Sequence, residues 1–245
     1  VRRMLLTQKA FAEGMRALGM YAASIQDQIA LAGGHGHDDA KALDRLNDLL
    51  LPLVKGYCSE KVYALLGSHS MQCFGGAGYL KDYPIEQYIR DQKVDSLYEG
   101  TTHIQALDLL FRKVAKDGGA TLQGLLKSMK ATARSERGGE PCAAAKKQLE
   151  QAINDVQGTF MAAMQKMGES IYHVGLQGNR ILFSLAELTI GWLLIRQAEV
   201  AAEALESAKD SERSFYEGKL VTASFYASEV FPGLGLAKQQ VEASS

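Results

Sequence analysis

The sequence predicts an all-α protein, an up-down helical bundle followed by a second helical extension. Three observations carry this. Prolines are few, with Pro52, Pro84, Pro141 and Pro232 the four in 245 residues, and the long stretches between them favour helix. Apolar residues recur at steps of three, four and seven through most of the chain. No stretch alternates apolar and polar residues convincingly with the period of a half-buried strand.

The first helix is expected over 1–30, where Met4, Leu5, Phe11, Met15, Leu18, Ala22, Ile25 and Ile29 share one face. Gly33-Gly34-His35-Gly36-His37-Asp38-Asp39 reads as a loop. A second helix follows from about Asp44 to Met71, with a kink or restart expected at Pro52. Three glycines break the pattern between Gln72 and Tyr79, and Tyr83-Pro84 opens a short helix through Gln92. Leu97 to Thr102 reads as a loop feeding a helix that carries Ile104, Leu107, Leu110 and Val114 inward and stops at Gly118-Gly119. Residues 119–141 read as a looser junction. Leu149, Ile153, Val156, Phe160, Met164, Met167 and Ile171 mark the next helix, and two more are expected over Leu176–Ala208 and Glu212–Val230. Phe231-Pro232-Gly233 then ends the pattern, and the tail from Lys238 to Ser245 is expected to fray. The expected organisation is therefore 1–118 as one helical bundle and 119–245 as the extension.

Composition removes several function classes. Lys and Arg total 27 against 28 Asp and Glu, so no broad basic field exists to drive nucleic-acid binding. Cys58, Cys73 and Cys142 stand far apart with no CxxC pair, which excludes a disulfide framework or zinc ribbon and makes a reducing, cytoplasmic compartment the expectation. The most apolar stretch, Ile181 to Ile195, contains Glu187 and is bracketed by Arg180 and Arg196; it reads as a buried core helix rather than a membrane span. The chain opens in helical periodicity with Val-Arg-Arg, which implies sequence upstream.

Three stretches could carry chemistry. Gln72-Cys73-Phe74-Gly75-Gly76-Ala77-Gly78-Tyr79 places glycines after a helix, where backbone N–H groups can approach a phosphate, or where a glycine turn simply ends the helix. It does not meet the GxGxxG fingerprint, and no strand precedes it. Tyr98-Glu99-Gly100-Thr101-Thr102 sets a carboxylate beside an aromatic ring just before a helix. Burial against Tyr98 would raise the pKa of Glu99 and suit it to proton transfer; in the alternative, Glu99 is solvated and Thr101 or Thr102 caps the helix. The third, His35, His37, Asp38 and Asp39, holds metal-ligand types in a glycine-rich loop, which reads as solvated rather than as a metal site.

Taken together the motifs are more specific than any one of them. Gln72 to Tyr79, then Tyr83-Pro84-Ile85-Glu86, then Ile89-Arg90-Asp91, then Leu97-Tyr98-Glu99-Gly100-Thr101-Thr102-His103-Ile104-Gln105 form an ordered series. This series closely resembles the C-terminal helical domain of the flavin-dependent acyl-CoA dehydrogenases, over about residues 1–115 and most tightly over 57–113. The added helical region resembles the 3-methylmercaptopropionyl-CoA dehydrogenase-like branch. The resemblance implies a fragment of a longer enzyme, lacking the first helix of the bundle, the central β-domain and the N-terminal helical domain, and inactive alone.

It also implies roles. Glu99 would be the base that takes the proton α to a thioester carbonyl while hydride leaves the β carbon for FAD. The Glu99 amide would polarise that carbonyl. Gln72, Gly75 and Gly76 would contact FAD, typically that of a neighbouring subunit, and Thr101 and His103 would contact FAD after the base, although position 103 is often Gln in the family. Tyr98 and Gly100 would border the acyl chain. The implied partners are an acyl-CoA substrate, electron-transfer flavoprotein and further copies of the chain in a homodimer or homotetramer, with no nucleic acid and no membrane span. Two other readings stay open: an acyl-CoA oxidase, and a helical oligomerisation module that has lost catalysis.

Overall fold

A computed structural model describes residues 1–244, which form helices and connecting turns with no strand among them. Helix α1 spans Arg2–Leu31 and buries Phe11, Leu18, Ala22, Ile25 and Ile29 of the expected stripe, together with Gly14. Helix α2 runs continuously through 41–73. It is α-helical over Lys41–Pro52, Cys58–Leu65 and Met71–Cys73, and π-helical over Leu53–Tyr57 and Leu66–Ser70. Pro52 lacks the N–H that would bond back one turn, and the helix absorbs the loss by widening rather than breaking.

A 3₁₀ turn at Gly75–Tyr79 reverses the chain. Helix α3, Ile85–Val94, then packs against the second half of α2. Helix α4 covers 102–117, as α-helical Thr102–Leu107, π-helical Asp108–Val114 and 3₁₀ Ala115–Asp117. It stops at Gly118 and Gly119, both at positive φ, as the sequence requires of a glycine terminator. Helices α5 (Ala120–Arg134), α6 (Gly139–Glu169), α7 (Ile171–Leu205) and α8 (Asp210–Glu242) complete the chain.

Several local expectations are corrected. The stretch 119–141 holds the regular helix α5, because Leu122, Leu125, Leu126 and Met129 give it a buried face. Helix α8 passes through Pro232 instead of ending there. The proline is exposed while Phe231, Leu234 and Val241 are buried, so packing carries the helix past the missing N–H. For the same reason the tail is helical to Glu242, with Val241 1% exposed. Ile104 faces outward, since α4 buries Thr102 and Ala106 in its first turns. Met164 and Ile171 are exposed too, beyond the buried run of α6 from Leu149 to Ala163.

The core is one continuous cluster centred on α7. This helix is apolar all round, the mark of burial on every side. It is the one described helix long and apolar enough to cross a membrane, and 78% of its most apolar window lies inside the protein. Backbone approaches surround it. A Cβ on Gly14 of α1 would fall 2.3 Å from Ile190, one on Gly56 of α2 would fall 2.8 Å from Leu182, and one on Gly191 would meet the Phe231 ring of α8 at 2.4 Å. Helix α7 therefore acts as the fourth helix beside α1, α2 and α4 and also as a member of the α6–α7–α8 bundle.

Polar ties reinforce this packing. Tyr57 donates a hydrogen bond to the Glu187 carboxylate at 2.8 Å, and Tyr226 donates to the Glu187 carbonyl at 3.1 Å. Lys146 of α6 forms a buried ion pair with Glu199 of α7 at 2.6 Å; it also donates to the Ser135 and Arg137 carbonyls, while Ser135 Oγ donates to Glu199. The pair pins the α5–α6 connection onto α7.

Breaking this pair from one side leaves a buried charge without a partner. Lys146→Met should destabilise by about 3–5 kcal/mol, and the double variant Lys146→Met/Glu199→Leu by much less, measured by urea unfolding.

Burial pushes the Cys58 thiol up to about 12 and the Tyr57 and Tyr226 hydroxyls well above the ordinary tyrosine value. All three stay neutral in the folded chain after their unfolded counterparts have ionised, so their contribution is complete below about pH 8 and lost as pH rises, first through the thiol and then through the tyrosines. The urea midpoint should fall between about pH 9 and 11, with a shallower slope in Tyr57→Phe.

Candidate functional site

The candidate site is the turn 95–101 between α3 and α4. Its carbonyl side is tied down. Lys55 Nζ, from the π-helical part of α2, donates to the carbonyls of Asp95 and Gly100, each at 2.8 Å. It also stands 5.5 Å from the centroid of the Tyr98 ring. Gln105 Nε2 donates to the Glu99 carbonyl at 3.1 Å. The start of α4 is anchored to α2 by Thr102 Oγ1, which donates to Glu60 at 2.8 Å.

The amide side is open. Among the described residues none accepts a hydrogen bond from the N–H of Glu99, Gly100 or Thr101. Thr101 is the N-cap of α4 but makes no side-chain cap bond, so its hydroxyl is free as well. Gly100 sits at φ +90, which suits glycine. Glu99 sits at φ +55 and is the one described non-glycine residue in the left-handed region. That backbone costs an L-residue about 1–2 kcal/mol. Successive amides facing outward from left-handed backbone form a concavity that suits an anion or a polarised carbonyl oxygen.

The carboxylate of Glu99 is exposed, and Tyr98 is 52% exposed with its ring beside Lys55. The expectation that Tyr98 buries Glu99 is therefore not met within this chain; any cover must come from a molecule or domain that docks over the turn. His103 is exposed beside Gly178 of α7, where a Cβ would lie 3.6 Å from its ring.

Gln72, Gly75 and Gly76 form a second group, at the far end of α2. All three are exposed, and Gly75 has φ +61 with open space around both glycines. Gln72 lies 12 positions beyond Glu60 on one continuous helix, a separation of about 18 Å along its axis. A single chain does not bring the two groups together. In the stretch of chain that links them Phe74, Tyr79, Tyr83, Tyr88 and Leu97 are exposed, with the Phe74 and Tyr83 rings packed on each other at 5.0 Å, and Ile104 is exposed just after the turn.

Of the histidine loop, His35 Nδ1 lies 2.6 Å from Asp44, whose other oxygen accepts from the Gly36 amide at 2.9 Å. These contacts close the loop onto α2. The Gly36 amide, followed by His35, holds the Asp44 carboxyl below its usual value.

Two family models cover most of the chain. Residues 1–113 match the acyl-CoA dehydrogenase C-terminal domain, and residues 125–245 match a C-terminal-like region described for acetyl-CoA dehydrogenase. The chain belongs to the acyl-CoA dehydrogenase family. It is 47% identical to the broad-specificity linear acyl-CoA dehydrogenase FadE5 of Mycobacterium tuberculosis, over 99% of this chain and 40% of that protein. It is 34% identical to the 3-methylmercaptopropionyl-CoA dehydrogenase of Ruegeria pomeroyi, over 94% of this chain and 38% of that protein. The chain thus spans about two fifths of the length of these relatives. Two solved structures share the fold: an acyl-CoA dehydrogenase from Bacillus anthracis complexed with FAD, with TM-score 0.73 and 18% identity over 98% of this chain and 41% of that one, and Caenorhabditis elegans ACDH-11 in complex with C11-CoA, with TM-score 0.72 and 21% identity over 92% and 35%.

Sequence reasoning picked out the turn, the glycine segment and Gln105 as part of a motif, but missed Lys55 and Glu60 and the part that Gln105 plays in holding the turn. The signal for Lys55 was a lone lysine inside the apolar run Leu49 to Tyr57. Because φ +55 strains Glu99, Glu99→Gly should raise stability by about 1 kcal/mol, read as a higher urea midpoint at neutral pH.

Proposed function

We propose that this chain supplies the base and part of the flavin cradle of an FAD-dependent acyl-CoA dehydrogenase that introduces an α,β double bond into an acyl-CoA thioester. The observation that supports this most is the turn itself: a carboxylate on strained backbone, beside amides with no internal acceptor, in a chain whose relatives are acyl-CoA dehydrogenases. Glu99 takes the proton from the carbon α to the thioester carbonyl. The Glu99 amide donates to the carbonyl oxygen as negative charge builds there. Substrate closing over the turn removes water from the carboxylate, which strengthens it as a base. Gly100 leaves room for the acyl chain next to Tyr98.

The residues suit FAD. The open glycines at 75 and 76 leave backbone accessible to a phosphate, Gln72, His103 and the free Thr101 hydroxyl offer polar contacts, and the exposed aromatic side chains in the stretch that links them offer flat apolar contact. Bound FAD would supply the acceptor for the hydride that leaves the β carbon. The place of Gln72, Gly75 and Gly76 at the C-terminal end of α2, away from Lys55 and the turn it holds, supports a homodimer or homotetramer in which they serve the flavin of a neighbouring copy. Reoxidation by electron-transfer flavoprotein completes the reading. The three unpaired cysteines accord with a reducing, cytoplasmic setting.

In the flavin-loaded enzyme, Glu99→Gln should keep FAD bound and reduce acyl-CoA-dependent flavin bleaching at least about 10³-fold, the loss of a positioned base together with its charge. Turnover above a few per cent of wild type would reject Glu99 as the base.

A further inference from the structure

We propose that Lys55 is a positioning residue for the Glu99 base, a role that rests on the reading of Glu99 given above. Its ammonium is the one charged group among the described residues that grips the turn at both ends, donating to the Asp95 carbonyl where α3 finishes and to the Gly100 carbonyl just after the base. The two acceptors bracket Glu99 in sequence, so one point charge fixes the span of the turn. With the Glu99 carbonyl held by Gln105, the carbonyls of Glu99 and Gly100 are both tied to the scaffold, while the amides of Glu99, Gly100 and Thr101 have no acceptor among the described residues and the Glu99 side chain is exposed.

The position of Lys55 is itself built in. It lies within the π-helical stretch Leu53–Tyr57, whose wider turn redirects side chains from the α-helical register. The Lys55 carbonyl is held by Ser59 Oγ at 2.7 Å. Its neighbour Gly56 brings α2 against α4, since a Cβ there would fall 3.0 Å from Gln105 Cβ and 2.8 Å from Leu182. The same short segment thus sets the α2–α4 distance and delivers the ammonium to the turn. Lysine suits this role because it is a compact charge with several donors, able to serve two carbonyls that diverge. Lys55 touches no reacting atom in this reading. It acts by fixing where Glu99 stands, and a displacement of about 1 Å in a base can cost about 10²-fold in rate.

The test isolates proton abstraction. An acyl-CoA with sulfur in place of the β carbon cannot lose hydride, so exchange of its α-hydrogens with D₂O, followed by NMR on the flavin-loaded enzyme, reports the base alone. Lys55→Met should slow this exchange about 10²-fold, with the analogue's dissociation constant within about 2-fold of wild type; Lys55→Arg should recover at least half of the loss on a logarithmic scale. If Lys55→Met does not yield folded holoenzyme, Lys55→Gln replaces it under the same criterion. Exchange within about 2-fold of wild type in Lys55→Met or Lys55→Gln, with Glu99→Gln inactive, would overturn the positioning role and leave the base assignment standing. Undiminished exchange in Glu99→Gln would overturn the base assignment, and the role of Lys55 with it. A drop confined to binding, with exchange at saturation unchanged, would also overturn it.

Discussion

Helix α7 has no polar face to give to water, so the rest of the chain has to cover it. Ile181, Leu182, Leu185, Ala186, Leu188 and Ile190 are all fully buried, and they point to different sides of the helix. Burying them contributes roughly 1.5–3 kcal/mol for each large side chain. Its polar residues are arranged to allow this. Ser184 and Thr189 donate back to carbonyls one turn earlier, so neither hydroxyl is left unsatisfied. Glu187 is met by Tyr57 and Lys61 from α2. Because α1, α2 and α4 share this helix with α6 and α8, the segment that carries the candidate site is braced by the C-terminal half, and the turn at 95–101 rests on a scaffold fixed from behind.

Much of the architecture was legible because amphipathic helices announce themselves by period. The stripe of α1 from Phe11 to Ile29 and that of α6 from Leu149 to Phe160 are buried as their spacing requires. The places that were not legible are those where packing overrides a local breaker. Pro52 and Pro232 are strong helix-ending signals by backbone chemistry, yet both sit inside helices. At Pro52 the backbone adopts a π turn, and at Pro232 buried neighbours on the other face hold the helix together. Residues 119–141 misled for the opposite reason: their glycines and polar residues mask a face of Leu122, Leu125, Leu126 and Met129 that becomes clear once α6 and α7 are present to receive it. In the candidate site, ordered short motifs located the carboxylate and the glycines, but the lysine that holds the turn is 44 positions upstream of Glu99, and nothing local in the sequence connects them.

The surface of the first half is not finished in the way the interior is. Aromatic and aliphatic side chains between Phe74 and Ile104 stand exposed, as do Tyr172, Leu176 and Phe215 in the extension. A non-glycine residue in the left-handed region and amides without acceptors mark the turn, and an open glycine pair marks the far end of α2. Each of these is a local departure from the choices folding alone would select, and such departures concentrate where function sets the terms. The strain at Glu99 has no compensation within the turn: its side chain makes no hydrogen bond there, and only its carbonyl is held.

The distribution of π-helix sharpens this point. Among the described residues, π-helical backbone occurs at Leu53–Tyr57, Leu66–Ser70 and Asp108–Val114, and α5 to α8 contain none. The first stretch carries Lys55, the second runs directly into Gln72, and the third continues the α4 segment that begins at Thr102 and His103. A π turn inserts a residue into a helix and rotates the downstream side chains, at the expense of poorer hydrogen bonding. Three such insertions in the half that holds every candidate site residue, and none in the half that supplies packing, are hard to attribute to Pro52, which accounts for one at most. A core needs only that apolar residues face inward, and regular helix provides that. A site needs particular side chains at particular bearings, and in α2 irregular helix carries Lys55 and directly precedes the segment that contains Gln72.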